Sequence, residues 1–299
     1  QLPLEYQLRN QVEEPFSGQL WMCEHLVDDY HARWHSTIAK PDGEMILEDS
    51  SLQISGASRW SNFYIESQRW LMENAGVDGL YLDGVTFDRE SFLRVRKTLV
   101  RQKPQALIDW HGSPAEIMDF FAFVDSLWFG EGADYSREDA YWFAAVSGIP
   151  FGITGEMLMP EASVQRGMVY GISQRYGWMP LERVNPAPLW KWWDAFAIDQ
   201  AEMLGYWAPD CPVKTSHPAI KATAYVHKGH SLAIAVANWA KETVDVRLAI
   251  DWDAVGLEPQ KVRVSVPQIE MFQPALAGVS LDALPVEPER GWIVVVEKQ

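Results

Sequence analysis

The sequence predicts an α/β chain: a TIM-type (β/α)8 barrel lacking its first strands, followed by a C-terminal all-β sandwich domain. Three observations carry that expectation. From residue 58 short apolar strands alternate with helix-like stretches, each of those strands ends on a carboxylate, and from about residue 213 the pattern changes to β-rich runs. The expected division is 1–212 for the barrel and 213–299 for the sandwich.

The elements follow in order. "SRWSNFYIESQRWLMENAG" (58–76) carries Trp60, Phe63, Tyr64, Trp70 and Leu71 partly at helical spacing and closes on Gly76, so it reads as a helix. "GLYLD" (79–83) reads as a buried strand, "DRESFLRVRKTLVRQ" (88–102) as a helix capped by Asp88, and "ALIDW" (106–110) as a second strand. A helix over 114–124 with Pro114 in its first turn, and a strand over 126–131, continue the alternation. A helix over 136–148 and a strand over 149–156 close it. Strands separated by helices at this spacing imply a parallel sheet with helical crossovers. No G-x-G-x-x-G or Walker-type loop follows any strand, which favours a barrel over an open nucleotide-binding sheet. The Trp-rich stretch 187–207 reads as a last helix, and a Lys228-Gly229-His230 turn joins two β runs of the second domain.

Barrels usually occupy about 250 residues, whereas 212 are available here and the first 57 show little regular alternation. Four strands are clear, with "GQLWMC" a candidate fifth and "YGWMP" a cryptic last one. The expectation is that the chain is the C-terminal part of a longer protein.

Composition narrows the function. Forty-one acidic against twenty-five basic residues give a net charge of −16 with no basic cluster, which argues against nucleic acid as a partner. Two cysteines, Cys23 and Cys211, lack metal or redox spacing, and no apolar run reaches the ~20 residues of a membrane helix. The segment "EHLVDDYHARWH" holds His25, His31 and His35 without an established ligand pattern, so neither metal nor other cofactor is expected. Fifteen tryptophans, several beside Gly, Asp or Glu, suit a carbohydrate partner, whose C–H faces lie on aromatic rings while its hydroxyls meet polar groups.

The strand-ending carboxylates are Asp83, Asp109, Glu131 and Glu156. In a barrel the C-terminal strand ends share one mouth, so these groups are expected to converge there. Glycosidic cleavage needs one carboxyl to protonate the leaving oxygen and another to attack carbon or activate water. Asp83 is the leading candidate; Glu131, Asp134 and Glu156 are candidate partners. Asp109, Trp110 and His111, with Tyr81, Arg89 and Trp128, are expected to contact substrate. A carbohydrate-binding or scaffolding barrel without turnover is the alternative reading.

The motifs "WMCEHLVDDYHARWH", "GLYLDGVTFDRE", "LIDWHG", "DSLWFGEGADY", "SGIPFGITGEML" and "RGMVYGIS", in this order, resemble bacterial proteins similar to glycoside hydrolase family 123. The resemblance implies a barrel glycosidase with further strands ahead of this stretch. In that family retaining β-N-acetylgalactosaminidases use an adjacent Asp-Glu pair with substrate-assisted chemistry; the matching strand here reads Asp83-Gly84. The layout is also similar to α-galactosidase-type barrels, and that likeness implies Asp83 as nucleophile and Glu131 or Asp134 as acid.

Overall fold

A computed structural model describes residues 31–39, 45–53, 59–82, 88–111, 118–128, 133–155, 157–159, 162–174 and 185–299. They belong to two compact units, Gln1–Trp128 and Phe129–Gln299.

The first unit begins with an antiparallel hairpin, β1 (His31–Ala39) and β2 (Met45–Gln53), paired from His31 opposite Gln53 to Ala39 opposite Met45. Little regular structure was expected here, because polar residues break the alternation of "HARWHSTIA" and "MILEDSSLQ". Helix α1 (Arg59–Asn74) follows. Its buried stripe is Ser61, Tyr64, Ile65, Gln68 and Met72, a helical period, while Phe63 and Trp70 stay exposed. Gly76 ends it at φ 72°, a conformation that costs a residue with a Cβ.

Next come β3 (Gly79–Leu82), α2 (Arg89–Gln102), β4 (Leu107–His111), a 3-10 turn (Met118–Phe123) and β5 (Ser126–Trp128). Asp88 caps α2 as the sequence implies: its carboxylate accepts from the Ser91 amide at 2.9 Å and the Ser91 hydroxyl at 2.8 Å. Among the described residues the expected helix over 114–124 is this short 3-10 turn. Strands β3, β4 and β5 pair in parallel, with Tyr81 beside Asp109 and Asp109 beside Ser126.

The second unit departs further from expectation. Helix α3 is only Asp139–Tyr141 and widens into a π-turn over Trp142–Val146, where the Ser147 amide bonds back to the Trp142 carbonyl. Ile149–Phe151 is a 3-10 turn, leaving β6 (Thr154–Gly155) as the strand expected over 149–156. Strand β7 (Met157–Leu158), helix α4 (Val164–Val169) and β8 (Ser173–Gln174) form a parallel βαβ unit. Helix α5 (Ala187–Phe196) stops at Ala197, whose φ of 53° cannot continue a helix, and the chain turns into β9 (Glu202–Leu204).

The remaining elements are β10 (Val213–Thr215), β11 (Ile220–His227), β12 (Ser231–Asn238), β13 (Val244–Val246), β14 (Leu248–Ile250), α6 (Trp252–Val255), β15 (Val262–Ser265), β16 (Leu284–Val286) and β17 (Gly291–Lys298). The order β15–β17–β12–β11–β9 makes a five-stranded antiparallel sheet, so a strand ahead of residue 213 joins it. One sheet face, with Leu232, Ile234, Val236, Val294 and Val296, packs on Val213, Val246, Leu248, Leu284 and Val286 from the shorter strands, giving the two layers of a sandwich. Its other face, Ala233, Ala235, Ala237, Ile293 and Val295, lies in a second core with Val164, Met168 and Val169 of α4. The three alanines let the helix approach closely, and all six α4 residues are buried. Gly291 belongs to the same fit, since a Cβ there would lie 1.9 Å from the Val236 carbonyl oxygen and 2.7 Å from the Gln165 Cβ. No helix among the described residues is long and apolar enough to cross a membrane.

Candidate active site

Alternation along β3, β4 and β5 sorts their side chains onto two faces. Leu82, Ile108, Trp110 and Leu127 are buried. The Trp110 ring lies tilted against Phe92 of α2 at 4.8 Å and against Phe120 at 5.0 Å, centroid to centroid, so this face is covered by helix. The opposite face carries Tyr81, Asp109, His111, Ser126 and Trp128, none of them fully buried. Tyr81 is 40% exposed and lies 4.8 Å from the Trp128 ring and 6.3 Å from the His111 ring, centroid to centroid. The Ser126 hydroxyl donates to the Asp109 carboxylate at 3.0 Å.

Two other carboxylates of this unit show what a structural acid looks like. Asp125, just ahead of β5, takes an ion pair from Arg96 at 2.6 Å and the Ile108 amide at 2.8 Å. Asp78, just ahead of β3, is paired with Lys103 at 2.6 Å. Both sit at strand N-terminal ends and tie α2 to the sheet. Asp109 and His111 instead approach the C-terminal ends, where barrel enzymes carry their chemistry.

The expected substrate-contacting cluster is therefore split. Asp109, His111, Tyr81 and Trp128 share one wall, but Trp110 points the other way and serves the helix-covered core. Arg89 also stands apart: it begins α2, with its guanidinium 5.3 Å from the Phe123 ring centroid and a 3.7 Å ion pair to Glu90. Ser126 was not expected from sequence. Its role appears only when the parallel register sets it beside Asp109.

Of the four candidate catalytic carboxylates, Asp83, Glu131 and Glu156 lie outside the described residues. Asp134 is exposed and accepts from the Ser136 hydroxyl at 2.6 Å and the Ser136 amide at 3.1 Å, closing a turn. These bonds, the hydroxyl first, hold its carboxyl below the usual carboxylate range. Such a group stays ionised at neutral pH and is poorly suited to donate a proton. The histidines of 24–35 fall on residues whose side chains are not described. Among the described residues no three His, Cys, Asp or Glu side chains gather as a metal site.

Comparison with known proteins decides the family. Residues 6–177 match the model of the glycoside hydrolase 123 TIM-barrel domain, and residues 185–297 match that of the glycoside hydrolase 123 C-terminal domain. The chain belongs to glycoside hydrolase family 123. This family 123 protein is accordingly a TIM-barrel glycosidase with a C-terminal β domain, and its substrate is a carbohydrate. Its fold is similar to that of an Anoxybacillus α-amylase, at TM-score 0.50 and 10% identity over 98% of this chain and 75% of that one. An α-amylase from Geobacillus thermoleovorans is also similar, at TM-score 0.45 and 10% identity over 98% and 76%. So is a GH27 β-L-arabinopyranosidase from Geobacillus stearothermophilus, at 0.45 and 10% over 99% and 71%. At such identity the likeness concerns fold alone. No curated protein sequence matches the family 123 chain significantly.

Proposed function

We propose that this glycosidase works with retention of configuration, Asp83 attacking the anomeric carbon and Glu131 protonating the leaving oxygen. The observation that carries the proposal is the open polar and aromatic face of β3, β4 and β5. Tyr81 is on that face near the end of β3, and Asp83 follows it by two positions in the sequence. Gly84 has no side chain to donate a proton, so the acid has to come from another strand. Glu131 follows β5 by three residues, and Glu156 is the alternative donor. Asp134, held ionised by Ser136, fits charge stabilisation better than proton donation.

In the first step the Asp83 carboxylate forms a bond to the anomeric carbon as the glycosidic C–O bond breaks and the Glu131 proton passes to the departing oxygen. In the second, the Glu131 carboxylate takes a proton from water, the water oxygen attacks the same carbon, and Asp83 is released. The Tyr81 and Trp128 rings offer an apolar surface to the sugar's C–H face, while Asp109 and His111 offer hydrogen bonds to its hydroxyls.

The experiment is hydrolysis of glycosides by the parent, Asp83→Asn and Glu131→Gln, with the anomeric form of the first product followed by NMR. Losses of about 10²-fold or more in kcat for both variants, and retained configuration, are expected. An inverted first product, or full activity in Asp83→Asn, would overturn the assignment. Sugar binding by the parent without turnover would favour the binding-protein reading of the barrel.

A further inference from the structure

The second unit holds a cavity of about 600 Å³ beside the N-terminal end of α4, and part of its wall comes from the C-terminal β domain. Asp134 and Arg166 line it from the barrel domain, and Asn185, Phe272, Glu289 and Arg290 from the C-terminal domain.

Three features set it apart from an ordinary surface cleft. The first is Arg166, 4% exposed, which makes no salt bridge with a described residue although the Glu289 carboxylate favours its charged form. Its guanidinium donates to the Asn238 carbonyl at 2.8 and 3.1 Å and to the Tyr135 carbonyl at 3.1 Å, with the Trp239 ring 5.0 Å away. Bonds to the described residues thus engage three of the five N–H donors of the guanidinium. The second is that Glu289 and Arg290, side by side on the β16–β17 turn, are exposed and make no side-chain hydrogen bond or ion pair with other described residues. The third is backbone conformation. Of the three non-glycine residues at positive φ among the described residues, two, Met271 (66°) and Glu289 (59°), line this cavity. Such positions are strained and gather at ligand-binding sites.

Both turns are anchored. The Gln165 side-chain amide donates to the Phe272 carbonyl at 2.9 Å, and the Asn238 amide donates to the Arg290 carbonyl at 2.9 Å. The wall is thus preorganised, and each rim turn is held from a different element.

We infer that this cavity is a neutral-carbohydrate subsite, in which the C-terminal β domain grips sugar units of the substrate through Glu289 and Arg290. Carboxylate, guanidinium and amide groups in one concavity supply both acceptors and donors to vicinal hydroxyls, and the Phe272 ring supplies an apolar edge. Two acidic groups, Asp134 and Glu289, balance Arg166 and Arg290, which matches an uncharged sugar better than a sulfated or uronate one. The inference rests on the glycosidase reading and adds a second point of attachment for longer substrates.

The test uses the full chain, a panel of neutral, uronate and sulfated di- to hexasaccharides, and an aryl monosaccharide glycoside. Binding is read by calorimetry and turnover separately. Glu289→Gln with Arg290→Ala is expected to weaken binding of neutral oligosaccharides by about tenfold, the loss of roughly one hydrogen bond to a charged group. Hydrolysis of the aryl monosaccharide and the melting temperature are expected to be unchanged. Glu289→Gly provides a second variant, since it removes the carboxylate while suiting the positive φ; weaker binding with equal or greater stability is expected. Equal oligosaccharide binding by the variants would overturn the subsite while leaving the glycosidase reading standing. Binding confined to uronate or sulfated chains would overturn its neutral character, and absence of binding to every oligosaccharide would overturn it outright. Loss of turnover in Asp83→Asn with subsite binding intact would support both.

Discussion

In β12, Leu232, Ile234 and Val236 enter one core while Ala233, Ala235 and Ala237 enter another. In β4, Ile108 and Trp110 are buried beneath α2, but Asp109 and His111 face the other way, with Tyr81 and Trp128 beside them. Both strands alternate with period two, and they differ in what meets the second face. A sheet covered on both sides becomes a near-continuous apolar run, "SLAIAVAN", and can hold no reactive group without a burial cost. A face that is only partly buried among the described residues can carry polar and aromatic side chains at partial exposure. A site is therefore to be sought at strands whose alternation pairs bulky apolar residues with acids, histidine and tyrosine.

Trp110→Ala gives the sharpest attack on that comparison. As a core tryptophan in tilted ring contact with Phe92 and Phe120 it should cost about 3–5 kcal/mol of stability in denaturant unfolding. A small cost with a large loss of substrate binding would mean that Trp110 belongs to the open face after all.

Ala235→Leu probes the doubly covered sheet. Overpacking beneath α4 should destabilise by about 1–3 kcal/mol, whereas tolerance would show spare room on that face.

Asp88→Ala tests a carboxylate assigned to structure. Loss of the cap should cost about 1 kcal/mol. Partial burial pushes the Asp88 carboxyl up, but bonds from the Ser91 amide and hydroxyl outweigh it and hold the group below its ordinary value. A lowered folded pKa contributes stability above the unfolded value of ~3.9 and loses it as pH falls through the folded one. Parent and variant unfolding curves should therefore converge in acid; a gap that persists there would show that the carboxylate charge is not what Asp88 supplies.

Tyr81→Ala has the smallest expected effect on stability, within about 0.5 kcal/mol for an exposed residue. It should nonetheless lower kcat/KM for sugar substrates by roughly two- to tenfold through the lost ring contact. Unchanged kinetics would remove Tyr81 from the sugar-binding wall.

Much of this was readable in advance. Helix α2, its Asp88 cap and the strands on either side follow from local patterns that tertiary packing did not override. Even the opposed directions of Trp110 and His111 were available, since neighbours on a strand face opposite ways; reading "DWHG" as one cluster ignored that rule. Other features depend on partners distant in sequence. The Asp109–Ser126 bond needs the parallel register, β9 is a strand because β11 pairs with it, and the π-turn over Trp142–Val146 belongs to a core completed by residues far along the chain. The pairing of Glu289 with Arg290 as a rim was invisible for the same reason. Its turn acquires meaning only where Gly291 lets it lie against α4.

Helix α4 has a consequence for the order of synthesis. Its six residues are covered by strands made 60 to 130 positions later, and Gln165 reaches Phe272 across 107 residues. Contacts that distant close slowly and late. On the ribosome the β7–α4–β8 segment must therefore wait, with its apolar surface uncovered, until β12 and β17 have emerged. During that interval it is a natural client for chaperones, and a chain ending near residue 212 would never leave that state.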